Sequence, residues 1–264
     1  ATAGIWDWEI ALDSAGTKYA WFVNGLEARR KWDGVAGATA AWGGAPPQGK
    51  MCKIWKNRMI IVGPQVQRLY FSDIGNPESG WTNFIDIKST DDENEPITWI
   101  DVIGEYLLVF KRNSTFVVFD SNTFANRRLS GVVGTVGRWQ SQVVEGRCYF
   151  YHHTGLWSTD GLQSPKLESR KINPMLQDTA NFNNLHSNVK LAKTGTHERC
   201  RLGEGAHGER LLLMTPVTPS AGAMLFPHMY QLCLDMKTQD GDHPWCAHGL
   251  GVHDGNSANE IKDI

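Results

Sequence analysis

Carboxylates, histidines and cysteines recur along this chain at spacings that invite a chemical reading. Five aspartates close short apolar runs: Asp33, Asp73, Asp120, Asp160 and Asp235. Brought together, they would form a ring of carboxylates. Their simpler chemistry is a turn, because an aspartate after a strand accepts hydrogen bonds from the backbone amides that follow it. They are therefore read as structural turn positions. Asp91, Asp92, Glu93 and Glu95 offer oxygens to Ca²⁺, but lack the glycine spacing of an EF-hand loop and read as a solvated turn. His243, Cys246, His248, His253 and Asp254 are the most metal-like group. Zinc favours paired ligands such as CxxC, and only one Cys stands there, so a strand start at Pro244-Trp245 is the preferred reading. His152-His153 reads as a strand end. Gly131-Val-Val-Gly-Thr-Val-Gly137 opens no predicted helix, so it is not a phosphate-cradling loop. No Gly-x-Ser-x-Gly occurs, and no histidine has a nucleophile partner by spacing. The expectation is a non-enzyme with no catalytic, cofactor-binding or metal residues.

The elements that must carry these residues follow from composition and pattern. Of 264 residues, 41% are hydrophobic and 20% charged, enough to bury a core. Lys plus Arg number 26 against 28 for Asp plus Glu, a formal charge of −2. That excludes a globally basic nucleic-acid coat. The basic pairs Lys111-Arg112, Arg127-Arg128 and Arg170-Lys171 are scattered rather than striped. No apolar run reaches the roughly 18 residues that span a bilayer, so no membrane anchor is expected. Ala1 to Trp6 has no charged segment followed by an apolar one, so no signal peptide is expected. An initiator Met is absent, which implies a processed chain or part of a longer one. The 27 Gly and 11 Pro supply turns, and the 11 Trp, 10 Phe and 6 Tyr suit pleated surfaces. The five cysteines are odd in number and widely spread, which argues against a disulfide framework.

A repeat organises the chain. Its unit is an apolar strand, a turn, a second apolar strand, a turn and a third strand ending in Asp. The clearest copies are Met51–Trp55, Met59–Val62 and Arg68–Asp73; Ile97–Val102, Tyr106–Phe110 and Thr115–Asp120; and Ser141–Val144, Arg147–Tyr151 and Leu156–Asp160. Turns are placed at Asn57-Arg58, Gly104-Glu105 and Glu145-Gly146. Weaker copies flank these, Tyr19–Val23 with Arg29–Asp33 and Arg210–Met214 with Tyr230–Asp235. The aspartates from Asp33 to Asp235 are separated by 40, 47, 40 and 75 residues. A period of about 40–47 residues with three or four strands matches one β-propeller blade. One small meander cannot bury both faces, so successive sheets stack on each other. The expected fold is all-β, a β-propeller of about five recognisable blades, whether complete or incomplete, in one domain over 1–264. A short helix near 173–185 and an exposed loop at 215–228 account for the long last interval. Ile5–Ile10 is a candidate closing or inner strand, and 247–264 shows no clear strand.

Several phrases carry a family resemblance. They are Gly43-Gly-Ala-Pro-Pro47 with Lys56-Asn-Arg58, Arg68-Leu-Tyr-Phe-Ser-Asp-Ile-Gly-Asn-Pro77 with Trp81, and Tyr106 to Phe116. Gly155-Leu-Trp-Ser-Thr-Asp-Gly161, Ser169-Arg-Lys-Ile172, and Leu234-Asp235 with Trp245 complete the series. Over roughly residues 15–250 the chain resembles the propeller-type tail proteins of tailed bacteriophages, the tail nozzle (tubular protein B) and packaged-DNA stabilisation proteins among them. The resemblance implies a structural virion component, a homo-oligomeric ring, often sixfold, near the tail tip or below the adaptor. Its partners would be other tail, adaptor or fibre proteins, with transient, phosphate-level contact to phage DNA in the lumen. The family's proteins are often much longer.

A second reading is a carbohydrate- or receptor-binding propeller at the tail tip, with glycosidase-like activity. Ser72–Trp81 is loosely similar to the Asp-box of sialidase propellers, itself a structural turn. A retaining glycosidase needs carboxylates about 5–5.5 Å apart, and a sialidase-like site needs an arginine cluster. Arg29, Arg30, Arg127 and Arg128 are the available guanidiniums.

Overall fold

The computed structural model describes residues 5–65, 67–88, 94–170, 173, 200–204, 210–217, 225–233 and 245–249. They form five antiparallel four-stranded sheets, each hydrogen-bonded in chain order. The first sheet is β1 (Asp7–Leu12), β2 (Lys18–Val23), β3 (Arg30–Trp32) and β4 (Ala40–Ala41). The second is β5 (Met51–Trp55), β6 (Arg58–Val62), β7 (Arg68–Phe71) and β8 (Phe84–Asp86). The third is β9 (Ile97–Ile103), β10 (Tyr106–Lys111), β11 (Thr115–Val118) and β12 (Asn126–Ser130). The fourth is β13 (Ser141–Val144), β14 (Arg147–His152), β15 (Gly155–Thr159) and β16 (Lys166–Leu167). The fifth is β17 (Arg201–Glu204), β18 (Arg210–Val217), β19 (Leu225–Cys233) and β20 (Trp245–Gly249).

The chain divides into two compact units, 1–131 and 132–264. The first holds three sheets and the second two. In the first unit β1 lies beside β5 and β5 beside β9; in the second, β13 lies beside β17. Within each unit the first strands thus lie beside one another.

Sequence explains the layering. The second strands, Met59–Val62 and Leu107–Lys111, are buried throughout. Their apolar residues, Met59–Val62 and Leu107–Phe110, run without a polar break, as they do in strands buried on both faces. The fourth strands β4, β8 and β16 are short and β12 is polar, and each pairs on one side only.

The hairpins follow turn chemistry. Trp55 pairs with Arg58 and Val144 with Arg147, leaving two-residue loops. Lys56 and Asn57 both have positive φ, as do Glu145 and Gly146. Two consecutive positive φ values mark the type I′ turn that matches strand twist. The first of these turns therefore sits at Lys56-Asn57, one residue before the position expected, and Arg58 already belongs to β6.

Other expectations meet the structure as follows. The segment Ile5–Ile10 overlaps β1, the first strand of the first sheet. Residues 215–217 and 225–228, expected in a loop, belong to β18 and β19. Residues 247–249, expected to lack a strand, belong to β20. Of the helix expected at 173–185, all but Asn173 lies outside the described residues, as do Asp235 and residues 218–224.

Candidate functional site

The repeat aspartates each follow the third strand of a sheet. Asp33 Oδ1 accepts the amides of Val35 and Ala36, both at 2.9 Å. Asp160 Oδ1 accepts those of Leu162 and Gln163 at 2.8 and 2.9 Å. Asp120 Oδ1 accepts the Asn122 amide at 2.8 Å, and its Oδ2 accepts the Thr123 hydroxyl at 2.7 Å. These backbone donors hold all three carboxyls below the usual aspartate range. Asp73 differs. Its carboxylate accepts the Ser79 hydroxyl at 2.8 Å, and the nearby amide of Glu78 goes instead to Asn76 Oδ1 at 3.0 Å. Asx geometry has moved three residues along, to the Asn-Pro that opens a longer connection. Each of these four aspartates is bound within its own sheet's connection.

A different set of groups converges on β1, β5 and β9. Buried Asp7 accepts the Cys52 amide on Oδ2 at 2.9 Å. Lys53 pairs with Glu9 at 3.4 Å, and its ammonium lies 5.7 Å from the Trp99 ring centroid. Burial works against the Lys53 charge, but Glu9, Asp101 and Asp7 outweigh it and hold the ammonium above the usual lysine range. Burial, then Asp7 and Glu9, pushes the Cys52 thiol well up. A thiol held protonated is a poor nucleophile, and an ammonium held charged is a poor base. The arrangement's chemistry is cohesion between neighbouring first strands.

The junction between the first two sheets is built from tryptophan. Trp21, Trp42 and Trp81 form a chain of rings with centroid separations of 4.9 and 5.8 Å. Val23, Cys52, Met59 and Ile61 complete this buried cluster. The indoles of Trp42 and Trp81 both donate to the Pro77 carbonyl. Lys31 reaches across to Glu78 at 2.8 Å and lies 4.5 Å from the Tyr19 ring centroid. Glu78 Oε1 also accepts the Gly43 amide at 2.9 Å. At Gly44, with φ +71°, an added Cβ would collide with the Glu78 carbonyl. Only glycine allows this approach.

The second junction repeats the arrangement with other residues. The Trp55 indole donates to the Glu105 carbonyl at 3.0 Å, and Lys56 pairs with Glu105 at 3.2 Å. Phe124, from the connection before β12, stacks on Phe71. Arg58 lies within 5.7 Å of the Phe124 ring centroid and donates to the Ser72 carbonyl at 2.8 Å. In both junctions the connection between the third and fourth strands reaches back onto the preceding sheet.

The other groups singled out in sequence are dispersed. Glu95 accepts both nitrogens of Asn113, at 3.1 and 2.8 Å, while 91–93 lie outside the described residues. Cys246 and His248 stand two apart on β20, and 243, 253 and 254 lie outside the described residues. Among the described residues no group of three metal-ligating side chains occurs. His152 ends β14, its Nδ1 2.7 Å from the Thr154 hydroxyl. Cys52, Cys148 and Cys200 are buried free thiols. No helix among the described residues is long and apolar enough to cross a membrane.

Sequence reasoning missed the roles of Lys31, Trp42, Lys53, Pro77 and Glu78. Asn76-Pro77 beside Gly80-Trp81 was the available signal: a turn within an aromatic-rich stretch longer than the other connections.

No protein-family model matches the chain, and no curated protein matches it. Solved structures do. The N-terminal domain of Nup159 matches with a TM-score of 0.50 at 9% identity, over 90% of this chain and 60% of that one. Hsv2 of Kluyveromyces marxianus has a TM-score of 0.47 at 9% identity, over 90% and 62%. A putative 6-phosphogluconolactonase of Bacteroides uniformis has 0.49 at 7%, over 96% and 82%. The chain spans about three fifths of the Nup159 and Hsv2 chains. At such identities the likeness concerns fold alone. The fold class is all-β, of β-propeller type, with repeated four-stranded antiparallel sheets.

Proposed function

We propose that this chain is a structural, non-catalytic component of a bacteriophage tail. It would act in the nozzle or tail tip, or in a ring below the adaptor, as a rigid scaffold lining part of the DNA path. One observation carries the reading: several residues of the tail-protein resemblance take part in joining sheets. Gly44 makes the close approach to Glu78, and Lys56 pairs with Glu105. Pro77 receives two indoles, and one of them is Trp81's. Residues that fix one sheet on the next suit a part whose work is to hold shape. On this reading the chain assembles as a homo-oligomer, sixfold in the resembling family, with tail, adaptor or fibre proteins as neighbours. Contact with DNA is transient and phosphate-level, and weakens with salt.

The test is the mass of the purified protein by light scattering, with its position in intact particles by cryo-electron microscopy. A ring, or density on the tail axis, supports the proposal. A monomer found only at peripheral fibres overturns it in favour of a carbohydrate- or receptor-binding propeller.

A further inference from the structure

The first sheet has two faces of different fates. Strand pairing places Glu9, Trp21 and Lys31 on one face and Trp8, Phe22 and Arg30 on the other. The Trp21 face packs on the second sheet. Trp8, Ile10, Leu12 and Trp32 share the opposite face, where they are 53%, 45%, 56% and 40% exposed. Lys18 and Arg30 are also exposed there, and no carboxylate shares that face. Contiguous exposed apolar surface of this kind marks an interaction site.

The second sheet shows what such a face receives. Its corresponding side, Cys52, Met59 and Ile61, is fully buried against the first sheet. A second feature points the same way. The connection between third and fourth strands reaches back onto the preceding sheet at Pro77-Glu78 and again at Phe124. In the first sheet the same connection, residues 33–39, is exposed throughout, with Val35 at 89%. Face and connection are thus both shaped for a β-sheet lying where a preceding sheet would lie.

We propose that this face is the interface with a second copy of this chain, which lays a β-sheet across Trp8, Ile10, Leu12 and Trp32. Continuity with the chain's own sheet-on-sheet packing carries the assignment: this polypeptide already makes sheets that accept such a face and such a connection. The proposal rests on the oligomeric part of the reading above and names its surface.

The experiment compares the unaltered chain with a Trp8→Lys/Ile10→Lys double variant and, separately, Val35→Asp. Light scattering is measured over a concentration series, with circular dichroism as the check of folding. The unaltered chain is expected at a multiple of 29.5 kDa, and the double variant at 29.5 kDa with an unchanged β spectrum. Val35→Asp should raise the concentration for half-association about tenfold, equivalent to about 1.4 kcal/mol. If the double variant fails to fold, Val35→Asp decides alone, since its exposed side chain contributes little to the fold. A monomeric unaltered chain overturns both this proposal and the ring. Equal oligomers in all three proteins overturn this interface and leave the ring standing.

Discussion

Trp42 and Trp81 donate their indole N–H groups to one acceptor, the carbonyl of Pro77, at 2.9 and 3.0 Å. Trp42 follows the last strand of the first sheet, while Pro77 and Trp81 belong to the second sheet's long connection. One carbonyl therefore uses both lone pairs to tie two sheets together. The rings also pack edge to face at 5.8 Å, so apolar burial and hydrogen bonding act on the same pair.

Loss of either indole should show this coupling. Trp42→Phe and Trp81→Phe each remove a buried hydrogen bond, expected to cost about 0.5–1.5 kcal/mol. The double variant should cost more than the two together, because the remaining tryptophan still satisfies Pro77 in either single variant and only the double leaves that buried carbonyl unpaired. Urea melts of the four proteins check this. Strict additivity would show that the shared carbonyl does not couple the rings.

Backbone approach at Gly44 gives a second test. Gly44→Ala combines an unfavourable φ of +71° with a collision against the Glu78 carbonyl. A loss of about 3 kcal/mol or more is expected, since backbone must move. Gly16→Ala is the matched control: its φ is +81°, with nothing within 4 Å of the added Cβ. It should cost only about 1–2 kcal/mol, the strain of the left-handed conformation. Similar melting temperatures for the two variants would remove Glu78 from the explanation.

The repeat is legible in the sequence for a physical reason. Strands buried on both faces read as continuous apolar runs, as Met59–Val62 and Leu107–Phe110 do. Turns such as Glu145-Gly146 require positive φ and so restrict residue type. The fourth strands are less legible because Ala40–Ala41 and Lys166–Leu167 pair along one edge and bury little. Junction residues are less legible still. Trp42 meets Pro77 35 residues away, and Lys31 meets Glu78 47 residues away; local pattern has no access to such partners. Asp73 shows the limit of spacing: it keeps the repeat's position, yet Asn76-Pro77 takes over the turn chemistry.

Acid should expose the Asx turns. Asp33, Asp120 and Asp160 have folded-state pKa values lowered by hydrogen bonds from the amides that follow them. A lowered carboxyl contributes stability that is present above its unfolded value, about 3.9. That contribution is lost as pH falls through the folded value. Carboxyl carbon shifts followed by NMR should place all three midpoints below that of an unstructured aspartate. Asp160→Asn should keep the turn, because its amide oxygen accepts the same bonds, while Asp160→Ala should lose it. Midpoints at the unstructured value would show that the amide bonds do not form in solution.

Base tests the first strands. Lys53 is held above its usual range by Glu9, Asp101 and Asp7, against the burial that opposes its charge. A raised lysine contributes stability that is whole below its unfolded value, about 10.4. It fades only as pH rises through the higher folded value. Lys53→Met should therefore be less stable than the unaltered chain at neutral pH, by about 1–3 kcal/mol. The substitution leaves the Glu9 carboxylate without this cation and removes a positive charge near buried Asp7. The deficit should narrow above the ordinary lysine range, where the unaltered chain loses its own ammonium. Adding Glu9→Gln to Lys53→Met should restore part of the lost stability, by removing one of the carboxylates that surrounded the lost ammonium. Denaturant melts at stepped pH values from neutral to alkaline measure this. A deficit constant across that range would assign the Lys53 effect to packing of its methylenes instead of its charge.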